Sequence, residues 1–521
     1  MVKYIERKEK NVKNENVGKR LFITIIISGL AFLLSYIINF ALTPFITNNI
    51  GAEGYGFVSL AKTFASYTMI AALAINSYSS RFITIEYHQK NYEKANNFLS
   101  TTLVSNFLLA FLTLLFAIFF INRITFFLKI NLDIVSDVKY LFFLMFVNFG
   151  ITIIGSSFSS SAYIANRLDL TGLFKLIGYI LEAGALLFLY FKFKPKLYYI
   201  SLALCIQNIF IFLTNLFITK KFTPKLKIMN ISFSWNAAKL LVFNGIWNSL
   251  NSLGNTLNTG LDLIMSNLFL TDTAMGELAI AKTINTMFIG LFQLIAQPFQ
   301  PLFLKSFADN NMDDLLNRFK LSMVCSGFLS SLAFAGFVAL GRTYYQLWVP
   351  NQNSTLLWKL TLVGCFSGIF EGLVYPLYYI YTLKIKNKIP CIITMIGGII
   401  NVIFMYILLK FTNLGIYSIV LTTAVVMTVI SLITNPIYMC YCLKIRWNYF
   451  YGVIGRSVLS CFIMTLIFIL LSKIINPKNW IMLIISATLM TLVGGVIHFL
   501  LVCNTKEKSF FLYKIKFKKK L

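Results

Sequence analysis

Acidic residues are scarce in this chain: 18 Asp and Glu stand against 46 Lys and Arg in 521 residues, and all charged residues together make up 12%. A water-soluble chain carries about twice that charged share. With 58% hydrophobic residues, there is more apolar side chain than one water-facing core can hide. Lipid must therefore be the solvent for most of the chain. Histidine is almost missing, with only His88 and His498. Of the eight cysteines, all in or beside apolar runs, only Cys440 and Cys442 are close together. So few donors make no metal site, and the cysteines read as small buried hydrophobes. Long polar segments are also lacking: no loop exceeds about 20 residues, which leaves no room for a soluble catalytic domain. No Walker lysine loop, HExxH or G-x-S-x-G elbow occurs. The expectation is a protein that is not an enzyme and uses neither cofactor nor metal.

What is present is a series of apolar runs. A spanning helix needs about 20 mostly apolar residues. Fourteen segments qualify: 21–46, 54–80, 98–121, 138–162, 171–191, 198–219, 240–268, 276–304, 321–341, 357–382, 391–411, 415–441, 453–475 and 481–503. The fourth and seventh, rich in Ser and Asn, are the weakest, and the pairs at 391–441 and 453–503 are separated by short turns, so a count of twelve to fourteen fits. The first run is too long for a signal-peptide core and reads as an uncleaved span.

The net charge of +28 does not imply nucleic acid, because the basic residues sit in short segments between apolar runs. With the N-terminus inside, the inside segments hold about 32 basic residues and the outside ones about ten. The tail 1–20 supplies seven, the 220–239 loop five and the tail 504–521 seven. That bias puts both termini in the cytoplasm, with the tails able to rest on anionic lipid.

An internal repeat runs at an offset of 220 residues. Gly56-Phe57-Val58-Ser59-Leu60-Ala61-Lys62-Thr63 aligns with Gly276-Glu277-Leu278-Ala279-Ile280-Ala281-Lys282-Thr283, Asn91 with Asn311 and Asn97 with Asn317. The match puts span 2 on span 8. It implies an N-terminal six-helix lobe (21–219), a cytoplasmic linker (220–239), a second six-helix lobe (240–441) and a terminal helix pair (453–503). Six is even, so the lobes insert in the same direction as a parallel repeat. The expected fold is an all-α polytopic membrane protein, about 14 transmembrane helices in two lobes around a central cavity plus the terminal pair.

Span 1 ends near Pro44, and Gly51-Ala52-Glu53-Gly54-Tyr55-Gly56 leads into span 2, which carries Arg81 at its inner end. Apart from any likeness, the glycines suit a tight hairpin. This pattern, with the two lobes and the terminal pair, resembles the multidrug/oligosaccharidyl-lipid/polysaccharide (MOP) superfamily, and more closely its polysaccharide transporter branch, the Wzx-type flippases. The resemblance runs to about residue 503. It implies a carrier of polyprenyl-diphosphate-linked glycan in the bacterial cytoplasmic membrane, working by alternating access.

Charged groups at membrane depth are costly and so are functional candidates. Lys62 and Lys282 occupy equivalent repeat positions inside spans 2 and 8. With Arg81 they are candidates to bind the anionic diphosphate. Span 7 carries Asn248, Asn251 and Asn255 among many amides and hydroxyls, candidates to meet sugar hydroxyls. Asp262, Glu182 and Glu371 are candidates to couple transport to H+ or Na+. The plainer readings are an ion pair of a lysine with Glu53, Asp262 or Glu277, and neutral carboxyls in packed interfaces. Pro298 and Pro301 should kink or break span 8, and His498 reads as structural. Membrane lipids and polysaccharide polymerase machinery are the expected partners besides the cargo. Alternatives are a MATE-like drug/cation antiporter, which would want more acidic groups, and an integral-membrane polymerase, which would want a long outer loop.

Overall fold

The computed structural model describes residues 27–503 apart from 28, 32, 228–232 and 385. The basic tails 1–20 and 504–521, the start of the first span and part of the 220–239 linker lie outside the described residues. Among those residues there is no strand, as lipid requires of an open chain: every amide must bond within its own helix. Thirteen described helices are long and apolar enough to cross a membrane, and the chain is a multi-pass membrane protein.

The long helices are α1 (Gly29–Asn49), α2 (Ala52–His88), α3 (Tyr92–Asn122), α4 (Val135–Ser156), α5 (Leu168–Lys192) and α6 (Tyr198–Phe222). They continue with α7 (Trp235–Thr259), α8 (Asp272–Ala296), α9 (Met312–Trp348), α10 (Ser354–Val374), α11 (Lys388–Phe411), α12 (Ile416–Val429), α13 (Tyr451–Ile475) and α14 (Trp480–Leu501). The seventh expected span is the one that differs. α7 is long enough to cross, but its run of Asn and Ser keeps it out of the apolar set. The expected segment 240–268 is also two helices, because the chain turns at Gly260 before a short helix, Asp262–Phe269.

Prolines mark the other breaks. Beyond α8 a 3₁₀ turn, Gln297–Phe299, leads into Gln300–Ala308, with Pro298 and Pro301 at the junction. Each proline removes an amide donor and clashes with the turn before it. α10 passes through a 3₁₀ turn at Tyr375–Tyr378, which contains Pro376. α12 passes through a π turn at Ile430–Thr434, just before Pro436. Asn435 links these irregular segments: Tyr381 Oη donates to its Oδ1 at 2.9 Å, and its Nδ2 donates to Tyr378 Oη at 3.1 Å.

The chain divides into two compact units, one up to Leu253 and one from Gly254. Lipid offers little hydrophobic drive between helices, so packing and interhelical hydrogen bonds hold each unit together. In the first unit, Asn106 Nδ2 on α3 reaches Asn76 Oδ1 on α2 (2.9 Å), the Ile153 carbonyl on α4 (3.1 Å) and Ser157 Oγ (2.8 Å). Asn148 Nδ2 donates to the Ser201 carbonyl at 2.8 Å, tying α4 to α6. In the second unit, α13 and α14 pack on α9, and His498 joins all three. Its Nε2 lies 3.0 Å from the Val324 carbonyl and its Nδ1 3.2 Å from Ser460 Oγ. It is buried and structural. All eight cysteines are free thiols and seven are buried.

The 220-residue offset reappears in the element boundaries. α2 starts at Ala52 and α8 at Asp272; α3 starts at Tyr92 and α9 at Met312; α5 starts at Leu168 and α11 at Lys388. The turn after α2 is reproduced bond for bond. Lys90 and Asn310 both take the left-handed conformation, at φ 62° and 53°. Asn91 N donates to Glu86 O at 2.9 Å, and Asn311 N to Ser306 O at 3.0 Å. Asn91 and Asn311 then cap their helices by accepting from Lys94 N and Asp314 N, as side-chain caps do.

Candidate functional site

Lys62 and Lys282 are each the eleventh residue of their helix. In each case the ammonium bonds to the residue 23 positions earlier in the chain. Lys62 Nζ donates to Asn39 Oδ1 on α1 at 3.3 Å, and Lys282 Nζ donates to the Thr259 carbonyl at the end of α7. Beyond that the environments differ. Lys62 is exposed on the first unit and has no carboxylate within ion-pair distance among the described residues. Glu182, buried in α5, is near enough to interact with its charge. Lys282 forms an ion pair with Asp262, Nζ to Oδ2 at 2.6 Å, with side-chain exposures of 24% and 5%.

Asp262 anchors a polar cluster inside the second unit. Thr423 Oγ1 on α12 lies 3.5 Å from Asp262 Oδ1. Asn401 Nδ2 on α11 donates to Thr423 Oγ1 at 3.2 Å and to the Asn258 carbonyl at 2.8 Å. Asn258 Nδ2 donates to the Thr394 carbonyl at 3.0 Å. The cluster can form because α7 and α11 cross closely. A Cβ on Gly254 would lie 2.9 Å from Met395 N, and one on Gly398 would lie 2.9 Å from the Gly254 carbonyl; only glycine fits there.

The other expected residues are placed separately. Arg81 is exposed near the end of α2, with no hydrogen-bond or ion-pair partner among the described residues. Nineteen residues of continuous helix, about 28 Å, separate it from Lys62, so one diphosphate cannot touch both. Asn248, Asn251 and Asn255 share one exposed face of α7, at the i, i+3, i+7 spacing of a single stripe. The opposite face carries Ser249, whose Oγ bonds to the Ile70 carbonyl on α2. Glu371 sits half-buried in α10 with Tyr375 and Tyr378 as its electrostatic neighbours, and no cation pairs with it among the described residues.

Sequence reasoning missed Asn39, Asn401 and Thr423. Their signal is a single polar residue in an apolar run, shared with many residues that merely bond their own helix. A groove of about 480 Å³ between α3, α4 and α6, lined by Phe107, Phe111, Ile151 and Phe212 among others, contains none of the candidate residues. Its walls are hydrocarbon and offer an anion nothing.

No family model matches the chain. A curated protein, "Uncharacterized membrane protein EpsK" of Bacillus subtilis (strain 168), is 26% identical over 490 residues, covering 93% of this chain and 96% of that protein. Among solved structures, the lipid II flippase MurJ in an inward closed conformation matches with a TM-score of 0.65 at 15% identity, over 91% of this chain and 99% of that one. An inward-facing multidrug resistance MATE family transporter of the MOP superfamily matches with a TM-score of 0.60 at 14% identity, over 82% and 99%. At such identities the likeness is one of fold. The chain has the all-α polytopic fold of MOP superfamily transporters, within which the Wzx-type branch is not singled out.

Proposed function

We propose that this protein is a flippase that moves a polyprenyl-diphosphate-linked oligosaccharide across the bacterial cytoplasmic membrane by alternating access, for cell-surface polysaccharide synthesis. The observation that carries the reading is the pair of lysines at matching depth in α2 and α8. A cation is held in a membrane helix at a cost, and two at the same register favour an anionic cargo. Lys62 has only a neutral amide as its direct partner and so is available to a diphosphate through charge-assisted hydrogen bonds. The Asn248, Asn251 and Asn255 stripe supplies donors and acceptors for sugar hydroxyls. Arg81 serves the headgroup at a separate stage from Lys62, since the two cannot share one diphosphate. Both termini lie in the cytoplasm, and polysaccharide polymerase machinery takes up the exported cargo.

One observation favours antiport of a cationic drug instead: Glu371 is a carboxyl in a membrane helix with no cation partner among the described residues. In the flippase reading it carries the coupling H+ or Na+. Proteoliposomes separate the two. The flippase moves a fluorescent polyprenyl-diphosphate glycan between leaflets and does not expel a cationic dye. Dye efflux without glycan movement overturns the proposal.

A further inference from the structure

The twin lysines differ in one respect. The position equivalent to Asp262 in the first unit, 220 residues earlier, is Leu42, and the position equivalent to Thr423 is Ala203. The first unit therefore has a lysine with no carboxylate at ion-pair distance among the described residues, and the second has a lysine that already holds one. An ammonium has three donors. Asp262 Oδ2 and the Thr259 carbonyl take two of Lys282's. A carboxylate oxygen and a phosphate oxygen are the same kind of acceptor to that ammonium. Asp262 itself is nearly enclosed, with Thr423 Oγ1 at its other oxygen, whereas Lys282 stays a quarter exposed.

We infer that Asp262 is a built-in competitor for the cargo's anion: it occupies Lys282 in the empty carrier, so Lys282 binds phosphate only after releasing Asp262. The inference rests on the diphosphate reading above. It makes Lys62 the standing anion ligand and Lys282 the conditional one, with Asp262 setting how tightly the cargo is held. Release leaves Asp262 among Thr423, Asn401 and the Asn258 carbonyl. A neutralising cation or proton would be stabilised there, which is how anion binding in this unit would be tied to a coupling ion.

Inorganic pyrophosphate is the probe, titrated calorimetrically into the purified full-length protein in neutral-lipid nanodiscs. Asp262→Asn keeps the size and removes the charge. Asp262→Leu copies the lysine environment of the first unit and is the second variant should the first fail to fold. The expected result is pyrophosphate affinity at least about tenfold tighter than the parent's, the worth of one charge-assisted hydrogen bond. That gain should vanish when Lys282→Gln is added. Unchanged or weaker affinity in a folded Asp262 variant overturns the inference, as does a gain that survives Lys282→Gln. If neither Asp262 variant folds while Asp262→Asn/Lys282→Gln does, the pair is a structural bridge and the inference falls. Parent binding that Lys62→Gln abolishes, with no effect of Asp262 variants, sinks this inference and leaves the diphosphate reading standing. No pyrophosphate binding by the parent or any variant sinks both.

Discussion

At the scale of single residues, the two lysines make opposite predictions for one substitution. Lys62→Gln removes a charge whose direct partner is the amide of Asn39, so no ion pair is broken, and buried Glu182 loses only a neighbouring charge. The variant should reach the membrane in parental amounts and export lipid-linked glycan about ten- to a hundredfold less well, the worth of one charge-assisted hydrogen bond. Lys282→Gln leaves Asp262 enclosed and unpaired, a loss of about 3–5 kcal/mol for a buried pair. It should accumulate poorly, and adding Asp262→Asn should restore it. Immunoblots of membranes and export per unit of protein check both; parental abundance of Lys282→Gln would remove the ion pair from the structural ledger. The candidates themselves were legible in the sequence, because charge is rare and costly inside an apolar run. The pairing was not. Asp262 was one of three carboxylates offered to either lysine, and the choice depends on the turn at Gly260, which brings Asp262 and Thr259 to the same ammonium. Thr423 and Asn401 were hidden for another reason: a threonine in a helix can bond the carbonyl four residues back, as Thr422 does at 2.7 Å. One polar residue in an apolar run does not say which it will do.

Among the elements, the apolar runs located the spans because lipid demands about 20 such residues whatever the fold. The seventh is the informative departure. Its amides made it look weak as a span, and α7 is a full-length helix held instead by close contact, on α2 through Ser249 and on α11 through Gly254. Composition does not report such contacts. The proline breaks were legible at Pro298 and Pro301. The π turn at Ile430–Thr434 was not read from the sequence, although Pro436 follows it closely. The terminal pair α13–α14 had no repeat partner from which to read its packing, and His498 turns out to be one of its fastenings. With both ring nitrogens engaged in a buried site, His498→Ala removes the bonds to the Val324 carbonyl and the Ser460 hydroxyl at a cost of about 1–3 kcal/mol. The purified variant should melt earlier in detergent, while glycan export per folded molecule stays near the parent's. An unchanged melting temperature would mean that α13 and α14 are held to α9 without it.

For the whole molecule, the duplication and the membrane orientation are separate inferences. The duplication is read from seven identities over 56–98 and their partners, and three pairs of helix starts and one turn fall at the same offset. Orientation depends on charge outside the helices. Basic residues concentrate in the tails and in the 220–239 loop, and such segments resist translocation, so both termini and that loop should face the cytoplasm. Single cysteines placed at Lys225 and Lys514 in a cysteine-free background test this. The background needs care because seven native cysteines are buried. Alanine suits sites of apolar contact, but Cys365 lies 2.7 Å from Asn285 Oδ1, so serine, which keeps a donor, suits that position. A membrane-impermeant maleimide should label both new cysteines only in inverted vesicles or opened cells. A control cysteine at Lys196, in the connection between α5 and α6 and half-exposed despite its 3.2 Å ion pair with Asp137, should label in intact cells. The control must report the opposite side, because one crossing of α6 separates it from Lys225. Labelling of Lys225→Cys or Lys514→Cys in intact cells would reverse the assigned orientation. It would also turn the proposed direction of transport, since a cargo built on the cytoplasmic leaflet must enter from the face that carries those basic segments.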